Sequence, residues 1–231
     1  METRAQSLIE RYVLPPAEIE RLSLQRVAAA LGSSDHWMAA ERQVVQRMVY
    51  AAGDPTIATL VNIHPEAVAA GLAALRAGQP IVVDVRMVEV ALNHALTARL
   101  RCPIHCAIDA PAVAAEARAR GVPRAVVAMR ALSQEADQGV VVIGNAPTAL
   151  LSLLDLIDAG ELRPALIIGT PVGFVAAAES KIELTARTVP FITIEGTRGG
   201  SALAAAAANA LLRLAAAGDS LHPAHSIEEK A

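Results

Sequence analysis

Residues 140–158 read VVVIGNAPTALLSLLDLID. Val140, Val141, Val142 and Ile143 are β-branched and run without polar alternation, which suits a short strand covered on both faces. Gly144, Asn145, Ala146 and Pro147 then turn the chain, and residues 148–158 are predicted as a helix. The same order recurs downstream. A strand at 165–168 leads into Gly169-Thr170-Pro171-Val172-Gly173 and a helix ending near residue 183. A strand at 191–194 leads into Gly196-Thr197-Arg198-Gly199-Gly200, after which Ser201 is expected to cap a long alanine-rich helix. Strand, glycine-bearing turn and helix in this order make an α/β layer with mostly parallel strands.

Upstream, IVVDV at 81–85 is a further buried strand, and 104–108 a weaker one because Pro103 and His105 interrupt it. Helices are expected at 65–77, 87–96 and 111–120, while 122–132 fits no single element. Pro15-Pro16 starts a helix over 17–31, and Asp35 is expected to cap a second over 36–52, where Trp37, Val44 and Met48 recur at helical spacing. Gly53-Asp54-Pro55 ends it. No strong strand signal precedes residue 81, so these helices are placed over a sheet edge or a partner subunit. With no linker, the expectation is a single α/β domain over 15–217: a mostly parallel central sheet flanked by helices, plus N-terminal helices. A flexible tail over 218–231 is expected to follow.

Composition narrows the function. Hydrophobic residues make up 54% of 231 but aromatics only 2%, and 50 are alanine, so the core packs backbones closely and offers few rings for stacking. Lys plus Arg number 20 against 23 Asp plus Glu, a formal charge of -3 that gives no basic nucleic-acid footprint. The longest uncharged stretch, 138–154, is broken by Gly139, Gly144, Asn145 and Pro147, and no secretion signal opens the chain, so neither a membrane span nor export is expected. Cys102 and Cys106 lack a second soft-ligand pair. They read as reduced thiols of a cytoplasmic protein, and the six histidines form no metal or catalytic constellation.

Ligands of open parallel sheets collect beyond the carboxyl ends of the strands. The three loops 144–148, 169–173 and 196–200 open there, and their amides can hold carboxylates or phosphates. None carries GxGxxG or a Gly-Lys-Ser/Thr ending, so no nucleotide motif is present. Arg198, flanked by Thr197 and Gly199, can grip a carboxylate with two bonds, as can Arg124 after Pro123. Lys181 reads either as a solvated lysine or as one pointed into the loop-rich end. Asp84, inside an apolar strand, either bonds loop amides or orients a polar ligand.

The runs DVRMV (84–88), VVVIGNAPTAL (140–150), ALIIGTPVGFVAAAESK (165–181) and FITIEGTRGGSALAAAAANAL (191–211) closely resemble the precorrin-8X methylmutase family, with a likeness covering roughly 15–215. The resemblance implies an isomerase of cobalamin biosynthesis. Such an enzyme moves a methyl group from C11 to C12 of a corrin precursor, giving hydrogenobyrinate or its cobalt analogue. The shift is intramolecular and needs no cofactor or bound metal. The resemblance also implies a cytoplasmic homodimer with sites near the subunit boundary, a polycarboxylated substrate, and neighbouring cobalamin-pathway enzymes as partners. Arg124, Lys181 and Arg198 are then the expected carboxylate anchors. Ser23, Asp84, Met87, Asn145, Thr148 and Gly199 fall in segments that line or support the pocket.

One position departs from the family pattern. RMVY at 47–50 stands where the family usually has Arg-Met-hydrophobic-His, the histidine being assigned to a ring nitrogen during migration. Tyr50 takes that place, and His36 and His64 each lie 14 residues away. A phenol donates a hydrogen bond but gives up a proton less readily than imidazolium near neutral pH. Tyr50 is read first as the catalytic hydrogen-bond donor of an active mutase, the alternatives being a non-catalytic corrinoid-binding or delivery protein that lost the histidine, or a changed tetrapyrrole reaction. Pro123 also replaces a threonine common before Arg124 in the family.

Overall fold

A computed structural model describes residues 7–32 and 36–218. Its strands are β1 (Val61–Ile63), β2 (Ile81–Val83), β3 (Ile104–His105), β4 (Val140–Ile143), β5 (Leu166–Gly169) and β6 (Phe191–Ile194). They form one sheet in the order β1-β6-β5-β4-β2-β3, in which β2 to β6 are parallel and β1 pairs antiparallel with β6, Val61 opposite Ile194. The chain is a single α/β domain with a mostly parallel sheet between helical layers, as the repeated grammar implies.

Both faces are covered, which explains the unbroken apolar runs. Ile81, Val83, Val140, Val142, Leu166, Ile168, Ile192 and Ile194 belong to one core, beneath helices Ala39–Ala52, Ala67–Arg76 and Ser201–Ala217. Val82, Val141, Ile143, Ile167 and Phe191 belong to the opposite core, beneath Pro147–Asp158 and its neighbours Arg124–Ala131 and Ala177–Thr185. The period of two along each strand assigns these residues without exception. Alanine has its use here: Ala204, Ala207, Ala208 and Ala210 are buried in the 201–217 helix, the element with the most extensive packing against the 39–52 helix. The Pro16–Leu31 helix, by contrast, buries no residue fully.

Several boundaries differ from expectation. Strand β1 was not anticipated, because Val-Asn-Ile is three residues long and draws its regularity from β6. The second helix begins at Ala39, where the Glu41 carboxylate accepts from the Met38 amide at 2.8 Å; Asp35 lies outside the described residues. The expected helix over 87–96 is two, Arg86–Ala91 and His94–Leu100. Asn93 separates them, its side chain accepting from Leu96 N at 3.0 Å while its own amide donates to Asn209 Oδ1 at 2.7 Å. Residues 122–132 resolve as the helix Arg124–Ala131. Ser201 is the first helical residue, with Gly200 at the cap position and no side-chain cap. The tail beyond 218 lies outside the described residues, and among the described residues no helix is long and apolar enough to cross a membrane.

Candidate functional site

The strand order reverses between β2 and β4: β3 lies on one side, β5 and β6 on the other. A reversal leaves a crevice beyond the carboxyl ends, because successive connections diverge from it. Asp84 follows β2 directly and is 2% exposed. Its Oδ1 accepts from Gly144 N at 3.0 Å, and its Oδ2 accepts from Asn145 N at 2.8 Å and Ala146 N at 2.7 Å. Of the two readings open for Asp84, the geometry matches the bonding of loop amides. Burial pushes its carboxyl up, and the three amides pull against that rise. The loop so held presents Asn145, exposed, and Thr148, half-buried on the helix that starts there.

The 196–200 loop packs directly on the loop after β5. Gly200 N donates to Thr170 O at 2.8 Å and Gly173 N to Thr197 O at 3.1 Å. A Cβ on Gly199, whose φ is 158°, would lie 2.3 Å from Thr170 O, so no larger residue fits that approach. Arg198 Nη1 donates to Asp54 Oδ2 at 3.1 Å and to Thr56 Oγ1 at 2.9 Å, tying the loop to the end of the 39–52 helix. The Thr56 hydroxyl and amide, and then Arg198, hold the Asp54 carboxyl below its ordinary range. Lys181 is 2% exposed and its Nζ donates to Arg198 O at 2.6 Å. Burial lowers its pKa to about 8.

Tyr50 stands at the same end of the sheet, four residues before Asp54, and is 42% exposed. It forms a ridge between two grooves. One, of about 510 Å³, is shared with Ser23, Arg26, Val49, Gly53 and Pro55. The other, of about 310 Å³, is floored by Ala51, Ala91, Ala202 and Ala206 and ends at Arg47, Asn209 and Arg213. No histidine lines either groove. Ser23 is half-buried, and its hydroxyl donates to Ile19 O at 2.6 Å in its own helix.

Arg124 heads a helix that runs alongside 147–158 in the same direction, since Ser152 Oγ donates to Val126 O at 3.2 Å and Arg130 lies 3.8 Å from Asp155. Its guanidinium therefore starts from the carboxyl-end side, exposed, beside a depression of about 460 Å³ formed with Arg118 and Val122. Met87 is 60% exposed on the helix after β2. The fold thus gathers Tyr50, Asp84, Asn145, Thr148, Lys181, Arg198 and Gly199 at one end of the sheet, seats Ser23 beside Tyr50, and leaves Arg124 in a separate depression. Arg47, Asp54, Thr56 and Asn209 were missed from sequence, although Arg47 precedes Tyr50 by three residues and so shares its helix face. Cys102 and Cys106 are free, and the described residues contain no cluster of ligating side chains for a metal.

A doubly wound α/β domain with donor-bearing loops at its switch point belongs to the class of open-sheet folds whose ligands sit beyond the carboxyl ends of the strands. Residues 18–214 match the family model described as precorrin-8X methylmutase, and the chain belongs to that family. It is 42% identical over 204 residues to the cobalt-precorrin-8 methylmutase of Priestia megaterium, covering 88% of this chain and 90% of that one. It is 46% identical over 170 residues to the precorrin-8X methylmutase of Pseudomonas aeruginosa, covering 71% and 80%. Among solved structures, the precorrin-8x methyl mutase of Thermus thermophilus superposes with a TM-score of 0.81 at 39% identity, covering 87% of this chain and 97% of that one.

Proposed function

We propose that this protein is a methylmutase that moves a methyl group from C11 to C12 of a polycarboxylated corrin precursor, precorrin-8X or its cobalt-containing counterpart. The observation that carries the reading is family membership across 18–214, with the family-like loops lying at the carboxyl ends of the parallel strands. One carbon–carbon bond breaks and another forms within the same ring system, so no external methyl donor enters. The non-catalytic alternative is not favoured, since the relatives matched are methylmutases.

In this reading Tyr50 donates a hydrogen bond to a ring nitrogen as charge redistributes during migration. Its half-exposed position between two grooves supports that role. Arg198 and Arg124 meet peripheral carboxylates, with the Asn145 amide, the Thr148 hydroxyl and Ser23 as neutral donors. Met87 lends apolar wall, and Asp84 acts by holding the 144–146 amides in place. We also place the enzyme in the cytoplasm as a homodimer, handing its product to a neighbouring enzyme of cobalamin synthesis. Val172, Phe174, Val175 and Ile182, all exposed apolar side chains near the site, support the dimer.

The deciding experiment is anaerobic incubation with precorrin-8X and, separately, its cobalt form. The absorbance spectrum is followed and the isomer identified by NMR, because mass does not change. Conversion of either establishes the activity. Tight binding of both without conversion would overturn the enzymatic reading.

A further inference from the structure

Lys181 heads the fully buried side chains by volume, an unusual place for an ammonium. Burying it carries a cost that burial alone imposes, visible in its lowered pKa of about 8. An exposed lysine would attract a carboxylate without that penalty. The bond that Lys181 does make goes to a backbone carbonyl, Arg198 O at 2.6 Å, beside a cavity of about 240 Å³ lined by Asn62, Thr185, Thr193 and Glu195.

That carbonyl belongs to a rigid unit. The Arg198–Gly199 peptide is planar and trans, so its oxygen and the Gly199 N–H point to opposite sides. With the oxygen turned inward to Lys181, the Gly199 N–H turns outward, and among the described residues it has no acceptor. Other ties hold the loop at its ends: Gly173 N to Thr197 O, and Gly200 N to Thr170 O. Neither bonds to the peptide between them.

We propose that Lys181 is a positioning residue for the corrin-precursor site: by holding the Arg198 carbonyl inward it aims the Gly199 N–H at a substrate carboxylate, and it touches no substrate atom itself. This rests on the methylmutase reading above, and it reassigns Lys181 from anchor to support for the loop. Arg198 is exposed, so the Arg198–Gly199 bond is also a site at which trypsin reports how firmly the loop is held.

Lys181→Met, Lys181→Arg and the wild type are compared in two assays. The first is the rate of tryptic cleavage after Arg198, relative to cleavage at other exposed arginines. The second is the affinity for hydrogenobyrinate. Losing the charge-assisted bond should raise cleavage after Arg198 about tenfold in Lys181→Met and weaken hydrogenobyrinate binding by about the same factor. Lys181→Arg, whose longer cation has the adjoining cavity to enter, should return both toward wild type. Weaker binding with unchanged cleavage would mean direct contact with the ligand and overturn the proposal. Faster cleavage with unchanged binding would overturn it too, as would failure of Lys181→Arg to restore either. Should Lys181→Met not fold, Lys181→Gln, neutral and too short to reach the carbonyl, gives the same readings. If the wild type binds no hydrogenobyrinate, the methylmutase reading fails, while cleavage still decides whether the tie exists.

Discussion

Replacing Asp84 by asparagine tests how the 144–146 loop is held. The carboxylate accepts three amides, one on Oδ1 and two on Oδ2. An asparagine must turn one of those acceptors into a donor. Its better orientation places NH2 against Gly144 N–H, sacrificing one bond; the other sacrifices two. One orphaned buried amide costs about 1–3 kcal/mol, and the two surviving bonds lose charge assistance at about 1 kcal/mol each. Removing a buried charge offsets part of this, leaving a net loss of about 1–3 kcal/mol. Asp84→Ala orphans all three amides and should lose more. Urea unfolding midpoints give the ranking, and turnover should fall with them as Asn145 and Thr148 lose their direction. The charge has a pH signature of the opposite sign. Because burial raises the Asp84 pKa, the folded state holds a proton that the unfolded state has released above pH 3.8. The contribution of this group to stability therefore falls as pH rises from there through the folded value, and Asp84→Asn should remove that slope. An Asp84→Asn protein with unchanged midpoint and turnover, or one less stable than Asp84→Ala, would refute the reasoning.

Gly199→Ala drives a Cβ to 2.3 Å from Thr170 O, so hydrogenobyrinate affinity should fall at least tenfold with the fold intact by circular dichroism; unchanged affinity would remove the loop from the site. For Lys181 the unfolded state holds its proton to about pH 10.5 and the folded state to about 8, so stability from this group rises between those values, by roughly 3 kcal/mol. Glu195 lines the same cavity, and the slope specific to Lys181 is read as the difference from Lys181→Met in urea melts at pH 7.5 and 10. Tyr50→Phe should lose turnover more than binding, and equal turnover would sink its donor role. Arg198→Ala should weaken substrate binding as it frees Asp54 and Thr56, an effect checked by titration against the wild type.

The legible parts of the fold are those whose signals are local. Val140-Val141-Val142-Ile143 and Phe191-Ile192-Thr193-Ile194 are buried along their length, and such strands announce themselves by composition. Strand β1 does not, because Val61-Asn62-Ile63 becomes a strand only by pairing with residues far along the chain. The break at Asn93 was equally hidden: its amide is satisfied by Asn209, a partner no window around residue 93 contains. The site divides in the same way. Glycine and proline mark the three loops, whereas the Arg198–Asp54 tie joins residues 144 apart and leaves no trace in spacing. For Asp84 the sequence narrowed the choice to two roles, and only coordinates supply three amides within 3.0 Å.

The position of β6 between β5 and β1 has a consequence for how the enzyme is made. Strand β1 finds no neighbour until β6 has been synthesised, because β6 is the strand it pairs with. During translation β1 therefore waits, and so does the tether that brings Arg198 to the end of the 39–52 helix. Closing so long a loop is entropically slow, and it comes after the β2–β5 pairings, whose strands follow one another more closely. The end of the sheet that carries Arg198 is thus completed only once β6 has been made, and a chain that stops short of β6 has neither a finished sheet nor the tie from Arg198 to Asp54.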